Sequence, residues 1–288
     1  MLKVRSVKIL ALVLALGVLA FALVGCGGQE GQEEAKGKVR IPYVEWECAT
    51  ASSNVMKVIL EDMGYEVDLM SVGAAAMWQG VAAGEADGFT TAWLPLTHNS
   101  YLEETEGDLE VVAKNFEGAR IGLMVPSYVD IDSIEELNDN ADKFDNQIIG
   151  IDPGAGIMEA TEKALTEYGL SDMDLVEGSD AIMVGALADA IDKEEWVVVT
   201  GWVPHWKDAK WDLKFLEDPK TIYGEAEDIY SVVRLGLEED MPEVYEVFKN
   251  FHWEGQDIGT VMEAENPADG ARKWVDDNQD IVQQWLPQ

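Results

Sequence analysis

An internal repeat constrains the fold of this chain more than any other feature of its sequence. The segment 91–95, Thr-Ala-Trp-Leu-Pro, has a counterpart at 200–204, Thr-Gly-Trp-Val-Pro, and a histidine follows each copy. Each copy also ends an apolar run typical of a buried strand, and a segment with helical spacing precedes that run. Two similar half-sheets of this size predict two lobes that face each other, because a solenoid would need more and shorter units.

Both halves alternate predicted strands and helices. In the first half the strands are expected at 39–44, 65–70 and 87–92, and the helices at 54–63, after a Ser53 cap, and 74–83. In the second half the strands are expected at 147–151, 173–176 and 196–200, and the helices at 157–168, with Gly169 as the stop, and 182–191. A βαβαβ order predicts mostly parallel sheets with right-handed crossovers, flanked by helices.

Two further strands, at 120–125 and 229–233, are predicted to cross between the lobes. Another strand is expected at 109–114. The segments 242–250, 257–264 and 267–285 have helical spacing and would complete the first lobe. The expected organisation is therefore a lobe one of residues 38–122 and 228–288 and a lobe two of residues 123–227.

The N-terminus has the pattern of a lipoprotein signal peptide. Three basic residues precede an apolar run from 9 to 25, which ends in Leu-Val-Gly-Cys at 23–26. This pattern predicts cleavage after residue 25 and a diacylglyceryl anchor on Cys26, followed by a flexible linker over 26–37. The alternative is a retained transmembrane helix, for which the run is barely long enough. We therefore expect an extracytoplasmic protein, anchored to the cell membrane as a lipoprotein.

Composition excludes several classes of partner. The chain has 20 lysine and arginine residues against 56 aspartate and glutamate residues, a net charge of −36, and 47% hydrophobic residues. The acidic residues are scattered along its length, which indicates a folded protein with an acidic surface and not a disordered one. Such a surface repels nucleic acid and anionic membranes, and it is typical of a salt-rich habitat. The remaining cysteine, Cys48, is expected to be a small buried hydrophobic residue.

No motif for catalysis, cofactor binding or metal binding is present. The sequence lacks G-x-x-x-x-G-K-[ST], G-x-S-x-G and H-E-x-x-H, and its three histidines, His98, His205 and His252, lie far apart. We therefore predict a protein that is not an enzyme and uses neither cofactor nor metal. A hydrolase hidden in this chain would need a different set of residues, and its nucleophile is not evident.

Three of the ten tryptophans follow predicted strands at the same edge of the sheets: Trp46, Trp93 and Trp202. Open α/β sheets bind ligands at the carboxyl ends of their strands. Three indole faces that meet there would form a box for a quaternary ammonium ion, each contributing about 0.5 to 2 kcal/mol. A single tryptophan at such a place is more often part of the core. The repeat symmetry of Trp93 and Trp202 favours the box.

A second feature suits a carboxylate. The turn 152–157, Asp-Pro-Gly-Ala-Gly-Ile, lies between a predicted strand and helix, so the amides of Gly156 and Ile157 should be free to bind an anion. A glycine-rich turn alone is a weak signal. His98 could donate to the same carboxylate, or it could equally be a surface histidine that opens a helix. His205 and Trp253 have no role assigned from sequence.

With these motifs in place, the sequence from Val39 onward resembles the glycine betaine binding lipoproteins of ABC-type osmoprotectant importers. The resemblance rests on four segments: 43–46, 92–98, 150–157 and 200–206. It implies a two-lobed periplasmic-binding-protein fold, type II-like, with the ligand in the cleft between the lobes. It also implies that Trp46, Trp93 and Trp202 enclose the trimethylammonium group, and that His98 and the amides of Gly156 and Ile157 bind the carboxylate.

The implied function is that of a monomeric receptor which delivers a betaine to an ABC permease and ATPase. The preferred ligand stays open, because similar boxes accept proline betaine, carnitine, choline, trimethylamine N-oxide or dimethylsulfoniopropionate. A receptor for a cation without a carboxylate should be insensitive to changes at His98 and the glycine-rich turn. A module that reports its ligand to a membrane kinase is the alternative from another functional class.

Overall fold

A computed structural model describes residues 35–253 and 257–288 of the chain. The predicted signal peptide 1–25, the lipidation site Cys26 and all but the last three residues of the predicted linker 26–37 lie outside the described residues. No helix within the described part of the chain is both long and apolar enough to cross a bilayer.

The first half of the chain forms the alternation that its apolar periodicity predicts. Its strands are β1 (Lys38–Tyr43), β2 (Glu66–Ser71) and β3 (Gly88–Leu94), and its helices are α1 (Glu47–Asp62), α2 (Ala74–Ala82) and α3 (Asn99–Glu104). Every residue of β3 is buried. Helix α1 begins at Glu47, well before the predicted start at residue 54. Ser53 is therefore a buried residue inside the helix and not its cap.

One long strand, β4 (Leu109–Pro126), replaces the two strands predicted at 109–114 and 120–125. Its first part pairs with β9 (Glu227–Arg234), and its last part pairs with β7 (Val199–Val203) and β8 (Leu213–Phe215). The strands of this sheet lie in the order β3-β9-β4-β7-β5-β6, in which β5 is Gln147–Ile149 and β6 is Asp174–Val176. The strands β4 and β9 therefore connect the two halves of the protein.

The helices of the second half are α4 (Gly156–Tyr168), α5 (Asp180–Asp192) and the short α6 (Lys207–Lys210). Two 3-10 segments, Ile134–Glu136 and Asn138–Phe144, precede β5. Helix α4 ends at Gly169, whose φ of 67° lies in the left-handed region that favours glycine, as the sequence predicts.

The C-terminal region is helical and packs on the first half. Its helices are α7 (Leu237–Asp240), α8 (Pro242–Asn250), α9 (Asp257–Met262), α10 (Pro267–Asp277) and α11 (Gln279–Trp285). Helices α9 and α10 pack against α1, and α8 packs against β4 and β9. Trp253 belongs to this core: its ring contacts Phe251, Trp274 and Trp285, and its indole N–H donates to Ser52 Oγ at 2.9 Å.

The prediction of mostly parallel sheets is wrong. The pairs β1–β2, β5–β6 and β5–β7 are parallel, as the repeat predicts. The pairs β3–β9, β4–β7, β4–β8 and β4–β9 are antiparallel. Each antiparallel pair includes at least one of the two connecting strands, which the repeat does not contain. The result is an α/β protein with mixed sheets.

Candidate functional site

A single cavity brings together the six residues that the sequence singles out. Its lining includes Trp46, Trp93, His98, Gly156, Ile157 and Trp202, together with Cys48, Thr97, Ile121, Ile151 and Ala155. The empty space inside the cavity and its open mouth is about 310 Å³. The three tryptophans are only 4% to 5% exposed.

The tryptophans come from three different elements. Trp93 is the penultimate residue of β3, and Trp202 lies in β7 opposite Ile121 of β4. Both are therefore the next-to-last residues of their strands, and not residues just beyond a strand as predicted. Trp46 caps α1 through its extended backbone, three residues after β1 ends. The strand ends and the helix start converge, which is why residues distant in sequence share one cavity.

His98 is held as a neutral hydrogen-bond donor. Its Nδ1 accepts the backbone N–H of Trp93 at 3.1 Å, and its own backbone N–H donates to the Trp93 carbonyl at 2.9 Å. Burial lowers the pKa of His98 to about 3. The ring is therefore neutral, with its single proton on Nε2. That N–H has no acceptor among the described residues, so it is available to a ligand.

Aromatic rings fix the orientation of His98. The ring stacks on Trp46 with centroids 5.6 Å apart, and the rings of Trp78 and Tyr101 each approach it edge-on at 6.0 Å. Although His98 immediately precedes α3, it is only 1% exposed. The alternative of a surface histidine is therefore wrong.

The glycine-rich turn presents free amides at the start of α4. Its N-terminal cap, Ala155, offers no side-chain acceptor, and the N–H groups of Gly156 and Ile157 have no acceptor among the described residues. A helix N-terminus of this kind favours an anion. A Cβ atom at Gly156 would lie 2.0 Å from the carbonyl oxygen of Thr97. Only glycine allows the turn to approach that backbone so closely.

The sequence of residues 37–286 matches the family model of the substrate binding domain of ABC-type glycine betaine transport systems. The chain belongs to this family. The family consists of substrate-binding domains and not of enzymes, in agreement with the sequence prediction.

Individual relatives extend the comparison. The glycine betaine/carnitine transport binding protein GbuC of Listeria monocytogenes is 44% identical over 153 residues, which are 51% of this chain and 51% of that protein. The chain thus aligns with about half the length of this relative. The glycine/betaine/L-proline-binding protein ProX of Borrelia burgdorferi is 40% identical, with a TM-score of 0.84 over 87% of this chain and 97% of that one.

Lactococcal OpuAC, in its closed-liganded conformation complexed with glycine betaine, is 39% identical. Its TM-score is 0.82 over 87% of this chain and 100% of that one. The similarity to these structures confirms the predicted two-lobed fold. The residue boundaries between the lobes stay a prediction.

Asp152 is a site residue that sequence reasoning missed. Its Oδ2 accepts the indole N–H of Trp46 at 2.9 Å. The hydroxyl of Tyr101 likewise donates to the carbonyl of Gly154 at 2.7 Å. The sequence places Asp152 in the glycine-rich turn, but nothing in its spacing indicates a partner more than a hundred residues away.

Lys207 is a second missed residue, buried behind Trp202. Its Nζ lies 4.3 Å from the centroid of the Trp202 ring and donates to the Trp202 carbonyl at 3.3 Å. Burial lowers the pKa of Lys207 to about 8. Lysine is almost never fully buried, so sequence offers no signal for this position.

No cluster of three or more histidine, cysteine or acidic side chains suited to a metal occurs within residues 35–253 and 257–288. Cys48 is a free, buried thiol, as predicted, and burial raises its pKa to about 12. It borders the cavity as an inert apolar group.

Proposed function

We propose that the protein captures glycine betaine outside the cytoplasm and delivers it to an ABC permease driven by an ATPase. Trp46, Trp93 and Trp202 would enclose the trimethylammonium group. The amides of Gly156 and Ile157 and the Nε2–H of His98 would bind the carboxylate. Family membership supports the role, and the position of all six residues on one cavity supports the site.

One observation carries the proposal: the cavity lining contains indole rings and free N–H donors, but no ionised side chain. A ligand with a net charge would be buried there without a counter-charge in the lining, at a high cost. A zwitterion is neutral overall, and its weakly hydrated ammonium group suits indole faces. Its carboxylate suits the helix N-terminus. Glycine betaine carries both groups in one small molecule.

Closure of the lobes would complete the site by excluding water. Cation-π contacts and amide hydrogen bonds both strengthen when the surrounding dielectric constant falls. Specificity is then geometric, with methyl groups at the indole end and a planar anion at the amide end. Carnitine, proline betaine and dimethylsulfoniopropionate share these features, whereas choline has no carboxylate.

Titration calorimetry with glycine betaine and with choline tests the proposal. We expect saturable binding of glycine betaine and much weaker binding of choline by the wild-type protein. In the variant His98→Ala the affinities for the two compounds should no longer differ. Equal or tighter binding of choline by the wild-type protein would refute the carboxylate site. If neither compound binds, glycine betaine is not the ligand.

We also propose that the receptor is a monomer anchored through a lipid on Cys26, with lobes bounded at residues 122/123 and 227/228. The lipoprotein-type cleavage sequence at 23–26 supports the anchor. Cys26→Ser should move the protein from the membrane fraction to the soluble fraction when expressed in a Gram-positive host. Retention of the variant at the membrane would refute a lipid anchor.

A further inference from the structure

A buried group of polar residues joins the two halves of the protein outside the cavity lining. Asp180, the first residue of α5, accepts the backbone N–H of Glu47 on Oδ2 at 3.0 Å. Its Oδ1 lies 3.2 Å from Nε2 of His205. Asp180 is 3% exposed and His205 is 5% exposed. None of these three residues lines the cavity.

The contact of Nδ1 of His205 shows which partner donates in the hydrogen bond between His205 and Asp180. Nδ1 of His205 accepts the backbone N–H of Lys207 at 3.0 Å, so this nitrogen has no proton. Burial lowers the pKa of His205 to about 4, which keeps the ring neutral with its proton on Nε2. Nε2–H therefore donates to Asp180. Each carboxylate oxygen of Asp180 thus has one donor, and the side chain is held in one orientation.

Helix α1 depends on this carboxylate for its cap. Trp46 occupies the N-cap position, but an indole offers no acceptor to the first amides of the helix. Asp180 supplies that acceptor from another helix, and its negative charge also suits the positive end of the helix dipole. With the predicted boundaries, Glu47 belongs to lobe one and Asp180 to lobe two. The cap can therefore exist only when the lobes are closed.

We propose that Asp180 is a closure latch: it sets the residence time of the ligand by capping α1 across the cleft, without touching the ligand. His205 is the positioning residue that orients the latch. This inference rests on the proposed betaine site and deepens it. Because Glu47 directly follows Trp46, the latch acts on the residue next to one wall of the box. Opening the lobes would remove an acceptor from the Glu47 amide and a donor from Asp180 together.

The latch predicts a kinetic signature. Capture by the open protein does not involve Asp180, so the association rate constant should be unchanged. Release requires the cap to break, so Asp180→Ala should raise the dissociation rate constant by about tenfold or more, the effect of losing one charge-assisted hydrogen bond. His205→Ala should give part of this increase. His205→Gln should restore slow release, because the glutamine amide can donate from nearly the same position.

Stopped-flow tryptophan fluorescence on the full-length protein with glycine betaine measures both rate constants. Asp174→Ala is the matched control, an exposed aspartate of the same half of the chain, and should behave as wild type. Asp180→Asn, which is nearly isosteric, serves as the second variant and should also speed release.

The melting temperature of each variant, with and without glycine betaine, separates a latch from a structural role. A latch reduces the rise that glycine betaine causes, in addition to any lower ligand-free value that follows from the lost hydrogen bond between Asp180 and His205. Wild-type release rates in both Asp180 variants would overturn the proposal. A fall in the association rate constant, together with a lower ligand-free melting temperature, would also overturn it. If wild-type protein does not bind glycine betaine, the proposed function fails instead.

Discussion

The indole N–H of Trp46 donates to Oδ2 of Asp152 at 2.9 Å. Trp46 is one wall of the proposed ammonium box, and Asp152 begins the turn that leads to the free amides of Gly156 and Ile157. One hydrogen bond therefore connects the two ends of the proposed site. It also places a carboxylate at the edge of Trp46, where negative charge raises the electron density of the ring face.

Loss of this bond should loosen the box without removing it. We expect Asp152→Ala to weaken glycine betaine binding by about fivefold to tenfold, because the hydrogen bond that orients Trp46 is charge-assisted. Calorimetry gives the dissociation constant. Asp174→Ala is the control and should leave it unchanged. An unaltered dissociation constant for Asp152→Ala would show that packing alone holds Trp46.

Trp202 should contribute directly to cation binding. Trp202→Ala removes an indole face and should weaken binding at least tenfold, equivalent to about 1.4 kcal/mol. Trp202→Phe retains a ring and should lose less. Trp211, which does not line the cavity, provides the control Trp211→Phe. A wild-type dissociation constant for Trp202→Ala would remove this residue from the box.

Gly156 should tolerate no side chain. In Gly156→Ala the new Cβ would meet the Thr97 carbonyl oxygen at 2.0 Å, so the turn would have to move away and the lobes could not close fully. We expect at least a tenfold loss of affinity, measured by calorimetry, with ligand-free stability close to wild type.

The matched control for that change is Gly185→Ala. Gly185 lies within α5, and a Cβ there meets nothing within 4 Å. Alanine should stabilise this helix by about 0.5 to 1 kcal/mol and leave affinity unchanged. Wild-type affinity in Gly156→Ala would contradict the close approach of the turn to Thr97.

The buried histidines should make stability depend on pH in one direction. Burial lowers the pKa of His98 to about 3 and that of His205 to about 4, both below the ordinary value of 6.5. Between these values the unfolded chain binds protons that the folded protein does not. The free energy of unfolding should therefore fall as the pH decreases from about 6.5 towards 4, by at most about 1.4 kcal/mol per pH unit for each histidine. Above pH 6.5 the histidines should contribute no slope.

Urea denaturation at several pH values checks this expectation. His205→Gln removes one titrating group, so its free energy of unfolding should fall less steeply than that of wild type between pH 6.5 and 4. Parallel curves for the two proteins would show that His205 is protonated as readily in the folded state as in the unfolded chain.

The sequence is sufficient to predict the cavity because its residues lie at strand ends that a repeat makes recognisable. Trp93 and Trp202 lie next to the ends of corresponding strands, and β4 and β9 bring these two ends together. Leu94 pairs with Asp228 of β9, whose neighbour Glu227 pairs with Ala119 of β4, and the next residue of β4, Arg120, pairs with Val203. Gly156 and Ile157 were predictable for a similar reason, since a helix start always leaves free amides.

What the sequence does not predict depends on partners that are distant along the chain. The start of α1 was misplaced because its cap is Asp180, 133 residues away, and not a neighbouring serine. The antiparallel pairs were missed because β4 and β9 have no counterpart in the repeat. Lys207 belongs to no repeating pattern of apolar residues, and only the packing of the folded protein buries it behind Trp202.

A crystal structure of the protein with glycine betaine bound tests the central claim most directly. We expect the trimethylammonium nitrogen to lie within about 6 Å of the ring centroids of Trp46, Trp93 and Trp202. We also expect a carboxylate oxygen within about 3 Å of the Gly156 and Ile157 amides or of His98 Nε2. A betaine bound in the reverse orientation, or outside this cavity, would contradict the proposed site.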